Sequence, residues 1–242
     1  MRAVVALAAF CFGLVFGSFF NVVIHRLPRG LSLVKPGSSC PNCGHRLSSL
    51  ELIPLVSYLW QRGACKACGE RISWRYPLVE FLTGVGFAFI AWSNPAWPER
   101  IVGYVLFSLL LVLAFIDLEH KLLPNVLTLA GVGMGLIFSL LGWTGPITQS
   151  VLGIVVGFGL VAAIAVISRG GMGMGDAKLL ALIGSFLGWQ TVFYVLFWAS
   201  VIGAVVGITY LYVTKQDRKT PIPFGPFLAV AALGLYFWSV LS

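Results

Sequence analysis

The dominant feature of this sequence is a series of eight apolar segments, separated by short joints that carry charged residues, Gly or Pro. The segments cover residues 3–25, 77–93, 101–118, 122–142, 147–168, 177–189, 191–213 and 223–241. Most of them approach the ~20 residues that a helix needs to cross a bilayer, where backbone polar groups must be satisfied within the segment itself. We therefore predict an all-α polytopic membrane protein with about eight transmembrane helices.

The composition excludes two other classes of protein. Only 10% of the 242 residues are charged and 59% are hydrophobic, whereas a soluble domain carries about 25% charged residues. A water-soluble enzyme is therefore excluded. The 18 Phe, 8 Trp and 7 Tyr residues supply more apolar surface than a disordered chain carries, so disorder is excluded as well.

The basic residues are concentrated in a polar insert at 26–76, which holds eight of the 16 Lys and Arg residues in about a fifth of the chain. Short cytoplasmic loops collect Lys and Arg. Eight alternating crossings place fourteen of these residues on one side, and leave only Arg2 and Arg100 on the other. The fourteen are those of the insert together with Lys121, Arg169, Lys178, Lys215, Arg218 and Lys219. We therefore expect a cytoplasmic insert and both termini outside.

The segment 177–189 is short for a crossing, but counting it keeps the basic cluster at 215–219 on the cytoplasmic side. Because topology accounts for the net charge of +8, no nucleic-acid partner is expected. The sequence is thus divided into a retained first helix at 1–25, the insert at 26–76 and a membrane domain of about seven helices at 77–242. Glycines inside the apolar segments, such as Gly153 and Gly157, predict close helix packing.

Four of the five cysteines form two C-x-x-C pairs within the insert, with 21 residues between the pairs. They are Cys40, Cys43, Cys65 and Cys68. This spacing is typical of a four-cysteine zinc site, whereas a disulfide or a redox pair fits poorly in a reducing cytoplasm. A closed four-thiolate site has no open position for water, so we predict a structural zinc. The fifth cysteine, Cys11, is expected to be a small buried filler.

Two acidic residues stand at the edges of apolar segments. Asp117 closes the run 109–116, and Asp176 follows the glycine-rich stretch 171–175. Ionisable groups at membrane depth are functional candidates, and two nearby carboxylates can act as general base and general acid in peptide hydrolysis. The spacing leaves two alternatives open, since Asp176 fits an ordinary helix N-cap and Asp117 fits a solvated helix end.

Several motifs together resemble the type IV prepilin peptidases, in matching order from about residue 13 to 229. They are 16–28 (FGSFFNVVIHRLP), the four cysteines, 75–80 (RYPLVE), Ile116-Asp117, 123–125 (LPN), 171–178 (GMGMGDAK) and 223–227 (PFGPF). The agreement of several independent motifs makes this resemblance highly specific.

The resemblance implies a bifunctional enzyme of the bacterial inner membrane, serving type IV pilus, type II secretion or DNA-uptake systems. Such enzymes cleave the basic leader of prepilins or pseudopilins after a glycine, and then methylate the new N-terminal residue with S-adenosylmethionine. By position, the two catalytic aspartates of the family fall on Asp117 and Asp176, and Gly173 to Asp176 form its G-x-G-D motif. The family often has Asp where this chain has Asn125, so we exclude position 125 from the catalytic set.

The resemblance also implies functions for the parts of the chain. The insert at 26–76 is associated with methyl transfer, and 77–242 is the aspartic protease domain. Glu80, the one acidic residue in its helix, is a candidate for binding the new amino group. The alternative is that Glu80 has no part in the reaction and is a half-buried remnant of the membrane topology, paired with Arg75. The remaining functional alternative is a transporter or assembly scaffold that uses the two aspartates for proton or cation binding.

Overall fold

The computed structural model describes residues 2–94, 96–167, 172–214 and 223–241. Gly171 and four of the basic residues used above, namely Arg169, Lys215, Arg218 and Lys219, lie outside these ranges. Within them the secondary structure is helical, apart from two isolated β-bridges in the insert. This confirms the all-α class.

The α-helices of the described ranges include one for each of the eight apolar segments and one short helix within the insert. They are α1 (Arg2–Arg26), α2 (Val56–Trp60), α3 (Arg75–Ser93), α4 (Trp97–His120), α5 (Asn125–Leu140), α6 (Ile147–Ile167), α7 (Met174–Leu187), α8 (Trp189–Thr214) and α9 (Gly225–Leu241). The helices α1, α3, α4, α6 and α8 are long and apolar enough to cross a membrane, while α5 and α9 are shorter apolar helices. The number of eight crossings stays a prediction.

The chain divides into two compact units, Met1–Pro95 and Ala96–Ser242. In the first unit α1 packs along α3. The backbones approach closely because α1 presents glycines: a Cβ at Gly17 would lie 2.6 Å from the Cα atom of Glu80, and one at Gly13 would lie 2.7 Å from the carbonyl oxygen of Thr83. Glycine lets two helices meet in lipid without a side chain between them. Cys11 is exposed on α1, so the expectation that it is buried was wrong, because this helix turns its glycines rather than its cysteine toward α3.

In the second unit α7 is the central helix, packed against α5, α6, α8 and α9. Its residues 179, 180, 182 and 183 are fully buried aliphatic side chains, and α4 contributes a similar set at 106, 110, 113 and 116. Glycines again set the closest approach, since Gly153 of α6 and Gly184 of α7 meet backbone to backbone. The predicted packing role of Gly153 and Gly157 is confirmed, because a Cβ at either would collide with the backbone of α7.

The start of α7 follows from its sequence. Gly173 takes an extended conformation and caps the helix, so the first turn contains Met174, Gly175 and Asp176. At the other end Gly188, with φ of 81°, closes the helix and leads directly into α8. With 14 residues α7 is about 21 Å long, at 1.5 Å per residue.

Candidate active site and metal centre

Asp117 lies three residues before the end of α4 and is only 6% exposed. Its Oδ2 accepts a hydrogen bond of 2.9 Å from the backbone N–H of Gly225, the first residue of α9. The first N–H groups of a helix have no partner within the helix and attract negative charge. The α9 N-terminus therefore supplies a donor to Asp117. Because its side chain is buried, Asp117 is not the solvated helix end that the sequence left open as an alternative.

Asp176 occupies the third position of α7 and is 9% exposed. The cap of this helix is Gly173, so Asp176 is not its N-cap residue. The backbone of Gly173 hydrogen-bonds to the Asp176 carboxylate, and the N-terminal end of α7 favours negative charge at this position.

The two carboxylates are close enough for Asp117 to act electrostatically on Asp176. Three helix ends thus meet at one place: the C-terminal end of α4 and the N-terminal ends of α7 and α9. Like charges at short range favour a state in which one carboxyl is ionised and the other keeps its proton. This is the arrangement that general acid–base chemistry on a water molecule requires.

A second polar contact lies near the start of α7. Lys178 Nζ donates a 2.7 Å hydrogen bond to Asn125 Oδ1 at the start of α5. Asn125 therefore has a hydrogen-bond partner in α7, although its amide cannot serve as a third carboxylate beside Asp117 and Asp176. Beside this contact, a Cβ at Gly175 would lie 3.3 Å from the Leu123 side chain, which leaves that glycine closely covered.

The sequence predicts Asp117 and Asp176 as candidates, but it does not predict two contacts in this region. Residues 223–227 are recognised only as a motif, and Lys178 only as a basic residue and a member of the motif 171–178. The local signal for the contact between Gly225 and Asp117 is the proline that follows Gly225. Pro226 has no N–H, so the N–H of Gly225 is left as a free donor at the start of α9.

The four cysteines form a compact cluster, with their Sγ atoms all within 4.8 Å of one another. The Sγ atoms of Cys40 and Cys68 are 3.9 Å apart and those of Cys43 and Cys65 are 4.0 Å apart. A tetrahedral ion with metal–sulfur bonds of about 2.3 Å places its ligands roughly 3.8 Å apart. The cluster therefore fits a metal ion of that size.

The two pairs are built as repeated turns offset by 25 positions. In the first turn the Cys40 N–H bonds to the His45 carbonyl and the Gly44 N–H to the Cys40 carbonyl; Cys65, Glu70 and Gly69 repeat the pattern. Gly44 and Gly69 have φ of 71° and 75°, which explains the glycine after each second cysteine. Backbone N–H groups of Cys43 and Asn42 lower the pKa of the Cys40 thiol to about 7, whereas at the Cys43 thiol the His45 backbone N–H, which lowers the pKa, is outweighed by Cys68 and burial, which raise it to about 12. Without a cation, therefore, only one thiolate of this pair is favoured.

A charged contact supports the first turn. Glu51 Oε2 accepts hydrogen bonds from the Ser48 N–H at 2.9 Å and the Ser48 hydroxyl at 2.8 Å, and it lies 3.4 Å from His45 Nε2. Together these contacts lower the pKa of the Glu51 carboxyl to about 2, and the Ser48 backbone N–H makes the largest contribution.

Glu80 lies in α3 within the first unit and is 8% exposed. Its Oε2 accepts a 2.9 Å hydrogen bond from the backbone N–H of Leu55, and the Ser18 side chain also hydrogen-bonds to its carboxylate. Leu55 has a φ of 61°, unusual for a residue with a side chain, so this contact holds a strained turn of the insert.

Comparison with known proteins covers both units. Residues 11–94 match the Bacterial Peptidase A24 N-terminal domain and residues 104–208 match the Type IV leader peptidase family. A Prepilin leader peptidase/N-methyltransferase of Aeromonas salmonicida (strain A449) is 38% identical over 95% of this chain and 89% of its own length. The chain belongs to the type IV leader peptidase family.

Two further relatives of this family carry the same name. The Pseudomonas aeruginosa (PAO1) protein is 36% identical over 93% of the chain and 88% of its own length. The Bacillus subtilis (strain 168) protein is 35% identical over 96% of the chain and 95% of its own length. No solved structure matches the chain. The family and the apolar helices together make this a multi-pass protein of the inner membrane.

Proposed function

We propose that this protein cleaves the basic leader peptide of type IV prepilins or pseudopilins after a glycine, and then N-methylates the new N-terminal residue. The observation that carries the peptidase function is the buried carboxylate pair, Asp117 and Asp176, at the meeting point of three helix ends. Relatives named Prepilin leader peptidase/N-methyltransferase support both activities. The cellular setting is then a type IV pilus or type II secretion system.

In the proposed mechanism one aspartate is ionised and draws a proton from a water molecule as that water attacks the carbonyl carbon of the scissile glycine. The other is protonated and hydrogen-bonds to the carbonyl oxygen, which stabilises the developing negative charge. The proton taken from water then goes to the leaving amine as the peptide bond breaks. Because the pair shares a proton, its pH dependence belongs to the dyad rather than to either residue.

The proposed orientation places the active site and the insert in the cytoplasm, and both termini outside. Its support is the charge distribution, with fourteen basic residues on the cytoplasmic side. A prepilin is itself an apolar helix with a basic leader, so the same rule holds its leader in the cytoplasm. The substrate enters laterally from the lipid bilayer, and only a short unwound segment has to reach the dyad.

We propose zinc as the metal of the four-cysteine cluster. Four thiolates at these distances suit a tetrahedral Zn²⁺ ion, which would fold the insert and take no part in hydrolysis. The methyl donor is proposed to be S-adenosylmethionine. In functional terms 1–25 is the first helix, 26–76 is the insert used for methyl transfer, and 77–242 is the protease domain.

For Glu80 we propose a positioning function in methyl transfer. Its carboxylate already accepts hydrogen bonds from Leu55 and Ser18, so its contacts favour holding the insert over binding the new amino group. Glu80 would fix the insert on one side and the proposed metal would fix it on the other, and we propose that methyl transfer needs this ordered loop.

The test is incubation of the purified, lipid-reconstituted protein with a prepilin-like peptide that carries a basic leader and a Gly-Phe junction. A product shortened at that junction, and labelled when S-adenosylmethionine carries a labelled methyl group, is the expected result. A transporter or scaffold would leave the peptide intact, and the names of the relatives do not favour that alternative. An uncut peptide in preparations that retain their metal and fold would refute the peptidase.

A further inference from the structure

The insert exposes a continuous apolar stretch between its two cysteine turns. This stretch, residues 49–60, is called here the interfacial segment; it holds a short 3₁₀ turn (Ser49–Leu52) and α2 (Val56–Trp60). Its exposed side chains are Leu50, Leu52, Ile53, Val56, Leu59 and Trp60. Leu50 and Leu59 are each 74% exposed and Trp60 is 85% exposed. A patch of this kind on a small polar loop marks a contact with a partner or with lipid.

The contact between Leu55 and Glu80 fixes the depth of this segment. Glu80 lies five residues inside α3, about 7.5 Å along the helix axis from its first residue, Arg75. Because the Leu55 N–H is 2.9 Å from Glu80 Oε2, the middle of the interfacial segment lies beside the second turn of α3. The candidate membrane span begins at Arg75 itself. The segment is therefore held at the level of the membrane surface rather than above it.

The positive charge of the insert around the interfacial segment also suits the surface of an anionic membrane. Between 26 and 76 the chain has eight Lys and Arg residues against two acidic residues, Glu51 and Glu70. Basic residues beside an apolar face are typical of segments that lie in the interface of an anionic bilayer. Trp also favours this level, since its ring is apolar and its N–H reaches polar headgroups.

We propose that the interfacial segment docks on the lipid bilayer, with its six exposed apolar side chains at the boundary of headgroups and acyl chains. The basic residues of the insert then face anionic headgroups. The insert then lies against the membrane surface, and the hydrogen bond between Leu55 and Glu80 holds it to α3. This proposal rests on α3 crossing the bilayer and does not depend on the proposed enzymatic function.

The experiment is tryptophan quenching of the full-length, metal-loaded protein in nanodiscs of phosphatidylethanolamine and phosphatidylglycerol. The lipids carry bromine on acyl carbons near the headgroup. Subtracting the emission of Trp60→Phe from that of the parent isolates Trp60, and its high exposure means that the substitution disturbs no packing. Trp198→Phe gives the reference, because Trp198 is an exposed residue in the middle of α8.

We expect bromolipid to quench the Trp60 signal at least half as strongly as the Trp198 signal, and aqueous iodide to quench it weakly. Quenching of Trp60 by iodide and not by bromolipid would place the segment in water and overturn the proposal. Protection from both quenchers would overturn it as well, because a second copy of the chain or another protein would then cover the patch.

Discussion

Gly225 and Asp117 are joined by a 2.9 Å hydrogen bond although 108 positions separate them in the chain. The bond brings the first residue of α9 to the last turn of α4, and it orients one oxygen of the carboxylate. The backbone donor cannot rotate away as a side chain can. Asp117 is therefore held in one orientation before any substrate arrives, which is what pre-organised acid–base catalysis requires.

Gly225→Ala should reduce leader cleavage by about 10- to 100-fold while leaving the protein folded. The new Cβ would lie 2.7 Å from Asp117 Oδ2, so the carboxylate has to shift, and misplacement by about 1 Å costs up to ~100-fold in rate. The measurement is kcat/KM on a prepilin peptide. Gly234→Ala in the same helix is the matched control, since a Cβ there meets nothing within 4 Å. Equal activity of the two variants would show that this contact does not orient the dyad.

Asp117→Asn and Asp176→Asn should each lower cleavage by at least ~100-fold with the fold intact. An amide keeps the shape of the carboxyl group but cannot exchange the proton that general acid–base catalysis needs. The control is Glu99→Gln, an exposed carboxylate in the first turn of α4. If either Asn variant cleaved within ~10-fold of the parent, a barrier change of only ~1.4 kcal/mol, that residue would not belong to the dyad.

Purified protein should contain one zinc ion per chain. Replacing both buried thiols, Cys40→Ser with Cys65→Ser, should remove it, because two of four ligands are lost. Metal analysis of the intact protein is the readout, and Cys11→Ser, remote from the cluster in sequence, should keep full metal content. Zinc retained in the double variant would place the metal elsewhere in the protein.

Loss of the metal should separate the two activities. Structural zinc binding supplies about 10–16 kcal/mol to a small loop, whereas the helices of the second unit are held by packing that involves no thiolate. A variant with all four cysteines replaced by Ser should therefore still cut prepilin but fail to transfer a labelled methyl group from S-adenosylmethionine. Simultaneous loss of both activities would instead make the insert part of the protease fold.

Glu51 should remain ionised at pH 4.5, where a free glutamate is half protonated. Its pKa is lowered to about 2 by its hydrogen bonds from Ser48 and by His45. A lowered pKa means that the ionised group stabilises the insert fully above about 4.5, and that this contribution disappears as the pH falls toward 2. Carboxyl NMR of labelled protein measures the ionised fraction. Ser48→Ala keeps the N–H donor and should move the midpoint part of the way back; half protonation of the parent at pH 4.5 would contradict the assignment.

The sequence allowed the helices and the candidate residues to be predicted because both depend on local pattern. Each apolar segment became a helix, but several boundaries differ for local reasons. Helix α4 begins at Trp97 rather than 101, since Pro98 suits a first turn while Glu99 and Arg100 interrupt the apolar pattern. Helix α5 begins at Asn125 rather than 122, because Pro124 takes an extended conformation before it.

The features that were not predicted depend on contacts distant in sequence or on short segments without periodicity. Pro226 indicates a free N–H at Gly225, but no local pattern identifies Asp117 as the acceptor, and none pairs Leu55 with Glu80. The repeated turns of the insert correspond to C-x-x-C-G followed by one residue and Arg, at 40–46 and 65–71, but two short copies do not by themselves predict a shared backbone conformation. The five-residue helix α2 is too short for any helical period to show.

The contact between Gly153 and Gly184 also determines how the chain tolerates mutation. Where two backbones touch directly, no neighbouring rotamer can move aside for an added methyl group, so even alanine separates α6 from α7. Exposed positions of α6, such as Val155 and Val166, are expected to accept many apolar residues because their side chains are 62% and 78% exposed. Asp176, which we propose as a catalytic residue, lies in the first turn of α7. Substitutions at these two glycines are therefore expected to lower activity much as a change at the proposed active site would, although neither glycine is part of that site.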